Sequence, residues 1–318
     1  MTALLFERDR VAEVEWADEL PRIGRSAILW IDLENPSEDE LRNLVDVFDL
    51  ADDAADGLGA AEGKPYLADH GNHLHVRAIG LSDPRERKLV SVDCLVADRW
   101  LVTLRNGPAE VVGRFRDRAE GSGDLSGVGG LGFLANLLEW ALTSYLEAFE
   151  LLEADLDEID TEAMTGQVSS AEHVLARLVD MRREVGRLRL ALVQHREVVL
   201  ALTRPELEAI SSSDSAERFA SLRERLEDAI QASRDTRESI VGSFDVLQAS
   251  TTRRTNEIVK VLTLASVLLL PGALIAGIMG MNFKVGLFDT AAYFWAVIAV
   301  IVAVAVTTLA VARAREWI

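Results

Sequence analysis

The chain has a single cysteine among its 318 residues, and it lacks the short motifs that carry most enzyme chemistry. One cysteine can form neither a disulfide framework nor a cysteine zinc site, and the alternating segment around Cys94 predicts a buried strand. There is no nucleophile elbow, zinc-protease motif or phosphate loop, since no Lys-Ser or Lys-Thr follows the glycine-rich residues 121–132. We interpret those residues as a linker or helix-entry loop. The sequence thus predicts neither an enzyme nor a catalytic cofactor.

Charge is missing from two segments near the C-terminus. Residues 261–283 and 290–312 contain no charged side chain, and the only polar ones in the first segment are Thr263, Ser266 and Asn282. Each segment reaches the roughly 20 residues that a helix needs to cross a bilayer. Buried core helices are the alternative interpretation, but two adjacent uncharged runs of this length are rare in soluble domains. We therefore predict two transmembrane helices.

The N-terminal segment MTALLFERDRVAEVEW lacks the basic start and apolar core of a signal peptide. We therefore expect the region before the first apolar segment to stay in the cytoplasm. Basic residues precede the first apolar segment and follow the second: Arg253, Arg254, Lys260, Arg313 and Arg315. Such residues mark the cytoplasmic ends of membrane helices, whereas the loop between the segments holds only Lys284 and Asp289, which cancel. Both termini are predicted to be cytoplasmic, in the inner membrane of a cell, with a short external loop.

The acidic charge is confined to the region before the apolar segments. Residues 257–318 hold four basic and three acidic side chains, which gives them a net charge of +1. The chain has a net charge of −19, so the remaining residues carry −20. Such a surface repels nucleic acid and attracts cations, although solubility alone would also explain it. We predict divalent cations and a lipid bilayer as partners, and no nucleic acid.

Four alternating segments before residue 106 predict strands: SAILWIDLE, HLHVRAIG, KLVSVDCLV and RWLVTLR. Ser37 and Glu40 form a capping box for a helix after the first of them, and Ala97-Asp98 is a hairpin turn between the last two. Three long helices follow, at residues 133–164, at 169–203, and from Asp214 directly into the first apolar segment. The fold class is therefore α+β, with an N-terminal α/β domain and a stalk of helices that favours an oligomer.

We place the boundaries as follows: α/β domain 1–130, helical stalk or funnel 131–257, first transmembrane helix 258–282, external loop 283–289, second transmembrane helix 290–312, basic tail 313–318.

One stripe of the first transmembrane helix carries small and mildly polar residues between Leu and Val bands. Its members are Asn256, Val259, Leu262, Thr263, Ser266, Leu270, Ala273 and Gly277, and a turn at Gly280–Asn282 follows. Several copies around an axis would form a narrow pore, with polar rings that wet it and apolar rings that constrict it. A helix-packing face is the alternative that periodicity leaves open.

Asn282 falls at the outer end of this helix, and Gly280 lets the backbone turn there. A ring of amide oxygens can hold hydrated Mg²⁺ through its water ligands, because Mg²⁺ dehydrates reluctantly. Carboxylates in the same place would hold a divalent ion too tightly for release.

The segment TNEIVKVLTLASVLLLPGALIAGIMGMNF, residues 255–283, closely resembles the pore helix of the CorA family of divalent-cation channels. Gly280-Met281-Asn282 matches that family's signature tripeptide, at the end of the first of two C-terminal spans. The resemblance implies a homopentamer with one pore-lining helix per subunit, a selectivity filter at the tripeptide, and gates near Val259, Leu262 and Leu270.

The resemblance also implies uptake of Mg²⁺, with Co²⁺ and Ni²⁺ as further candidates, and closure of the pore by divalent ions bound between cytoplasmic domains. It puts Asp245 near the cytoplasmic pore mouth, but it does not locate the sensor carboxylates. Ser221 stands where one such acid is expected, with acidic residues nearby: Glu224, Glu227 and Asp228.

Two departures keep other functions open. Met279 replaces the family's usual aromatic residue before the tripeptide, and the following loop carries Lys284 in place of acids. A ring of Lys284 would repel cations unless Asp289 neutralises it, which leaves a zinc transporter of the ZntB-like branch, coupled to a proton gradient, as the alternative. A two-span scaffold protein is a third class. His70, His73 and His75 form a further candidate zinc site, and histidines of a turn and a strand surface are the alternative interpretation.

Overall fold

The computed structural model describes residues 2–7, 10–14, 23–24, 27–50, 58, 63–122, 129–165, 171–203, 213–281 and 291–315. The chain forms two compact units, Met1–Phe244 and Asp245–Ile318.

The first unit is built on a mixed sheet. Its strands are β1 (Thr2–Glu7), β2 (Arg10–Glu13), β3 (Ile28–Glu34), β4 (Tyr66–Asp69), β5 (Leu74–Leu81), β6 (Leu89–Val96) and β7 (Trp100–Arg105). The strand order is β2-β1-β3-β7-β6-β5-β4. β3 and β7 pair in parallel, and the other neighbours pair antiparallel.

Six helices occur in the described residues. They are α1 (Glu38–Phe48), α2 (Glu110–Ser122), α3 (Gly129–Thr165), α4 (Ala171–Leu202), α5 (Ser213–Met279) and α6 (Ala291–Ala314). Residues 213–244 of α5 belong to the first unit, and residues 245–279 of α5, together with α6, belong to the second.

The central strand β3 is buried on both faces, so helices cover the sheet on two sides. Leu29 and Ile31 share a core with Leu44 and Phe48 of α1. On the alternate face, Trp30 packs against aromatic rings of β1, α2 and α3, with ring centres between 5.4 and 6.5 Å away: Phe6, Phe115 and Phe133. Alternation along one strand therefore builds two apolar layers, which confirms the predicted α+β class.

The local signals of the N-terminal region are confirmed. The Ser37 hydroxyl accepts the Glu40 amide at 3.2 Å, and the Glu40 carboxylate accepts the Ser37 amide at 2.8 Å, which together form the predicted capping box. The Ala97 amide donates to the Trp100 carbonyl at 3.0 Å in the predicted hairpin turn. Cys94 is buried in β6, as expected.

Several elements differ from the sequence prediction. β1, β2, β4 and α2 were not predicted from the sequence. The interpretation of residues 121–132 as a loop is wrong at both ends, since α2 extends to Ser122 and α3 begins at Gly129. Residues 123–128 lie outside the described residues.

Gly130 fixes the start of α3 against the turn between β6 and β7. Its amide donates to the Asp98 carbonyl at 2.8 Å, and a Cβ at this position would collide with the Ala97 carbonyl oxygen. The opposing atom is backbone, so the clash cannot be relieved by a side-chain rotation. Glycine is therefore required here by close packing.

We predict that Gly130→Ala lowers the free energy of unfolding by about 3 kcal/mol, because it overpacks a backbone contact. Gly186→Ala is the matched control. A Cβ at Gly186 meets nothing within 4 Å, so this change should stabilise α4 by about 0.5–1 kcal/mol. Thermal unfolding of the detergent-solubilised chain measures both, and equal shifts for the two variants would contradict the clash.

Polar contacts join α3 to α5 within the first unit. Thr236 donates to Glu153 at 3.1 Å, and Ser243 donates to Asp160 at 2.9 Å. The equal spacing of seven residues on both helices shows that they run parallel. Thr236 and Ser243 are buried, so these bonds stabilise the register of the two helices by satisfying hydroxyls that burial would otherwise leave unpaired.

Helix side chains also cover backbone groups of β5. His195 of α4 accepts the Ile79 amide at 2.9 Å, and Tyr145 of α3 donates to the Ile79 carbonyl at 2.9 Å. Burial lowers the pKa of His195 to about 4, partly offset by its hydrogen bond to the Ala191 carbonyl, so the ring is neutral at pH 7. The neutral ring can thus accept at one nitrogen and donate at the other.

The histidines at β4 and β5 belong to a buried polar network. His73 and His75 are 3% and 2% exposed, so the expectation of surface histidines is wrong for both. His75 contacts Asp93 at 3.0 Å and the Tyr66 hydroxyl at 2.8 Å. Among the described residues, no group of three or more His, Cys, Asp or Glu side chains is arranged to hold a metal ion.

Candidate functional site

The second unit contains the two apolar helices. The segment of α5 that ends at Met279 and the α6 segment Ala292–Ala314 have mean hydropathies of 2.3 and 2.6 in their most apolar windows, and neither window is buried within the chain. Length and composition therefore allow both helices to cross a membrane.

One face of α5 packs against α6. A Cβ at Gly272 would lie 3.4 Å from the Cγ2 atom of Ile301, so the helices approach closely there. The α5 positions on this face are partly buried and recur at helical spacing: Leu264, Leu268, Pro271, Gly272, Ile275 and Met279. The corresponding positions of α6 are Val297, Ile301, Val304, Ala305, Thr308 and Ala312.

The predicted pore stripe occupies the other side of α5. At 3.6 residues per turn, the centre of the stripe lies roughly 170° from the centre of the α6-facing residues. Val259, Leu262 and Leu270 are 52%, 65% and 66% exposed. The remaining stripe positions are exposed except for Ser266, which is partly buried: Asn256, Thr263, Ser266, Ala273 and Gly277. The helix pair within one subunit therefore leaves this stripe uncovered.

The hydroxyl groups of the stripe are bonded to the helix itself. Thr263 donates to the Val259 carbonyl at 2.7 Å, and Ser266 donates to the Leu262 carbonyl at 2.9 Å. Each hydroxyl proton is thus in use, whereas the oxygen lone pairs remain able to accept. The stripe presents hydrogen-bond acceptors, which suit the outward-pointing protons of water around a cation.

One open face of α5 carries Asp245, Asn256 and Lys260, which the sequence singled out separately. The 11 residues between Asp245 and Asn256 correspond to roughly 16 Å of helix, so these two side chains do not form a joint site. Glu257 also lies on this face and pairs with Arg253 at 3.4 Å. Asp245 is an exposed acid at the start of the second unit.

The signature tripeptide follows the last helical turn of α5. The Gly280 amide donates to the Ala276 carbonyl at 2.9 Å, and the Met281 amide donates to the Ile278 carbonyl at 3.2 Å. The shorter loop closed by the second bond marks the end of the helix. Asn282, Lys284 and Asp289 lie outside the described residues, so their predicted roles stay predictions.

Of the three acids near the expected sensor position, two are exposed and the third is held in an ion pair. Ser221, Glu224 and Asp228 are exposed on α5. Glu227 instead accepts two bonds from Arg196 of α4, at 2.8 and 2.7 Å, and these bonds lower its pKa against the small opposing effect of burial. Sequence reasoning missed this ion pair because its partners lie 31 residues apart.

Comparison with known proteins identifies the class. The family model of the CorA-like Mg²⁺ transporter protein matches residues 25–313, which is nearly the whole chain. The chain belongs to this family.

The cobalt/magnesium transport protein CorA of Methanocaldococcus jannaschii is 23% identical over 295 residues, which are 92% of this chain and 92% of that protein. The complete structure of the CorA magnesium transporter from the same organism superposes with a TM-score of 0.80 at 19% identity, over 100% of this chain and 99% of that one. The ZntB cytoplasmic domain from Vibrio parahaemolyticus matches with a TM-score of 0.62 at 12% identity, over 80% of this chain and 98% of that one. These structural likenesses establish the fold.

Proposed function

We propose that this chain is a divalent-cation channel that carries Mg²⁺ into the cell, with Co²⁺ and Ni²⁺ as further substrates. Five copies surround one pore in the cytoplasmic membrane, with both termini in the cytoplasm. Each copy contributes the stripe of α5 to the pore wall and α6 to the outer layer. Membership of the CorA-like family and the transport named for the Methanocaldococcus relative support this proposal.

The observation that carries the proposal is the uncovered, uncharged and acceptor-rich stripe of α5. Its hydroxyl oxygens can accept from the water shell of a cation, and its Leu and Val bands provide constrictions between them. A stripe whose only purpose was contact with α6 would be covered by α6, but these residues lie on the opposite side.

The filter is the Gly280-Met281-Asn282 tripeptide, where Asn282 holds hydrated Mg²⁺ through its waters. Cytoplasmic divalent ions keep the pore closed by bridging acidic surfaces of neighbouring subunits, and their loss leaves like charges facing each other. The net −20 outside residues 257–318 supports this mode of regulation.

A zinc transporter driven by a proton gradient is the second candidate. The likeness to the ZntB cytoplasmic domain supports its fold, and Met279 and Lys284 are the residues that depart from the magnesium pattern. The Gly-Met-Asn tripeptide favours Mg²⁺ over this alternative.

The experiment is ion flux into liposomes that contain the purified full-length chain, read with dyes for Mg²⁺, Zn²⁺, Co²⁺ and Ni²⁺, with and without a pH gradient. We expect Mg²⁺ entry without a gradient, blocked by high Mg²⁺ on the cytoplasmic face. Zn²⁺ flux that follows the pH gradient, with no Mg²⁺ flux, would replace the proposal with the zinc alternative.

Gly277→Leu tests the direction in which the stripe faces. A Cβ at Gly277 meets nothing within 4 Å, so one subunit should accommodate the larger side chain. In the assembled pore, five added side chains should narrow the path and reduce Mg²⁺ flux by about tenfold or more. Ala276→Leu, roughly 100° around the helix, should leave flux near that of the parent. Undiminished flux in Gly277→Leu, with assembly intact, would show that the stripe faces elsewhere.

A further inference from the structure

An open groove lies between α5 and α6 within the second unit, with a volume of about 340 Å³. We call it the span groove. Its walls include Leu264 and Val267 of α5 and, on α6, Thr308, Val311, Ala312 and Arg315. The volume is more than twice the roughly 150 Å³ of a dry apolar cavity that accepts benzene. A segment of hydrocarbon chain therefore fits.

The walls of the span groove are mostly apolar, and the polar wall residues are Thr307, Thr308 and Arg315. Thr307, a further wall residue, donates its hydroxyl proton to the Ala303 carbonyl at 2.7 Å. Val267 and Val311 are 48% and 52% exposed, so the chain itself does not close the groove. Inside a bilayer, this exposed apolar surface must be covered by lipid or by another protein segment.

Arg315 makes one end of the span groove basic. Its amide donates to the Val311 carbonyl at 3.0 Å, so the helical path continues to Arg315 and stacks it one turn beyond Val311 on the groove side. Arg313 lies in the last turn of α6, and Arg315 is exposed. A guanidinium at the membrane boundary fits phosphate geometry and attracts anionic lipid.

The charge pattern distinguishes a lipid from a second copy of the chain. Residues 258–288 and 290–315 contain no Asp or Glu, so the apolar helices of a neighbouring copy offer no carboxylate to Arg315. Glu257, at the basic end of α5, is already paired with Arg253 at 3.4 Å. An anionic headgroup with attached acyl chains satisfies both the guanidinium and the apolar walls.

We propose that the span groove is a binding site for one anionic phospholipid per subunit, with an acyl chain between α5 and α6 and the phosphate at Arg315. This inference rests on the proposed membrane location of the two helices, but not on the transported ion. It assigns the α6 end a role in lipid recognition that is separate from the pore stripe.

The test is native mass spectrometry of the full-length protein, purified in detergent and titrated with phosphatidylglycerol or phosphatidylcholine. We expect the parent to retain one phosphatidylglycerol per subunit in preference to phosphatidylcholine. Arg315→Gln should weaken phosphatidylglycerol binding about fivefold and leave phosphatidylcholine binding unchanged. Val311→Trp should displace the acyl chain and weaken both lipids.

Arg254→Gln is the matched control, because Arg254 is an exposed basic residue at the same boundary but does not line the span groove. Equal loss of phosphatidylglycerol in the Arg254 and Arg315 variants would reduce the effect to general surface charge and overturn the site. Dissociation of subunits by Val311→Trp, with lipid binding unchanged, would identify the groove as a contact between copies and would also overturn it. The number of bound lipids is measured without ion flux, so the outcome of this test does not depend on the transport proposal.

Discussion

Replacing Asn282 with Ala should reduce Mg²⁺ flux into liposomes by about tenfold or more, while the oligomer stays intact. The change would remove the proposed ring of amide oxygens of the filter, and hydrogen bonds to a charged ligand contribute about 1.5–3 kcal/mol each. Fluorescent-dye flux measures the rate, and size-exclusion chromatography with light scattering measures assembly.

Asn282→Asp gives the complementary result. A ring of carboxylates should bind the divalent ion more tightly and slow its release, so flux should also fall, but with half-saturation at lower Mg²⁺. Asn136→Ala, in α3 of the first unit, is the control and should transport like the parent. Parent-like selective flux in Asn282→Ala would refute the filter role of Asn282, whereas absence of Mg²⁺ flux in the parent itself would favour the scaffold class.

Replacing Asp93 with Ala should lower the free energy of unfolding by about 3–5 kcal/mol, because it leaves buried charge without its partner. Asp93 is 1% exposed and accepts from Arg77 at 2.7 and 3.0 Å. Asp180→Ala is the control, since Asp180 is 71% exposed and pairs with Arg183 on the same helix. That change should stay within about 0.5 kcal/mol.

The contribution of Asp93 also has a predicted pH dependence. Burial alone raises the pKa of Asp93, but hydrogen bonds from His75 and Arg77 outweigh burial and hold the pKa below its ordinary value. The stabilisation is therefore complete above the unfolded pKa of about 4 and is lost as the pH falls through the lower folded value. Melting temperatures between pH 3 and 7 should show a shallower acid decline in Asp93→Ala, and an unchanged decline would contradict this assignment.

Local sequence signals predicted the elements that are specified locally. The capping box at Ser37, the turn at Ala97-Asp98 and the long helices follow from short-range patterns, and all are present. The uncharged segments predicted the two apolar helices for the same reason, because their composition is unaffected by the rest of the fold.

Features that depend on distant partners were not predictable in this way. In the sequence, Asp93 has no feature that distinguishes it from other acids in strands. Its role depends on the pairing of β5 and β6, which places Arg77, 16 residues earlier, beside it. The span groove likewise requires α5 and α6 to meet, so the sequence indicated Arg315 only as a basic residue that follows the second apolar segment and did not indicate its place beside Thr308 in a groove. The filter residue Asn282 is the opposite case, since its proposed role comes from the sequence motif alone.

The hydrogen bonds of Thr263 and Ser266 bear on energy coupling. A proton moves along a protein through groups that can release one and accept another, such as carboxylates and imidazoles. Residues 261–283 and 290–312 contain no Asp, Glu, His, Lys or Arg, and these two hydroxyl protons are held by backbone carbonyls. In the proposed channel, these two segments therefore offer no carboxylate or imidazole as a proton relay. An ion that travels along α5 would be driven by its own concentration gradient and by the membrane potential, which is worth about 4.6 kcal/mol for a divalent charge at 100 mV.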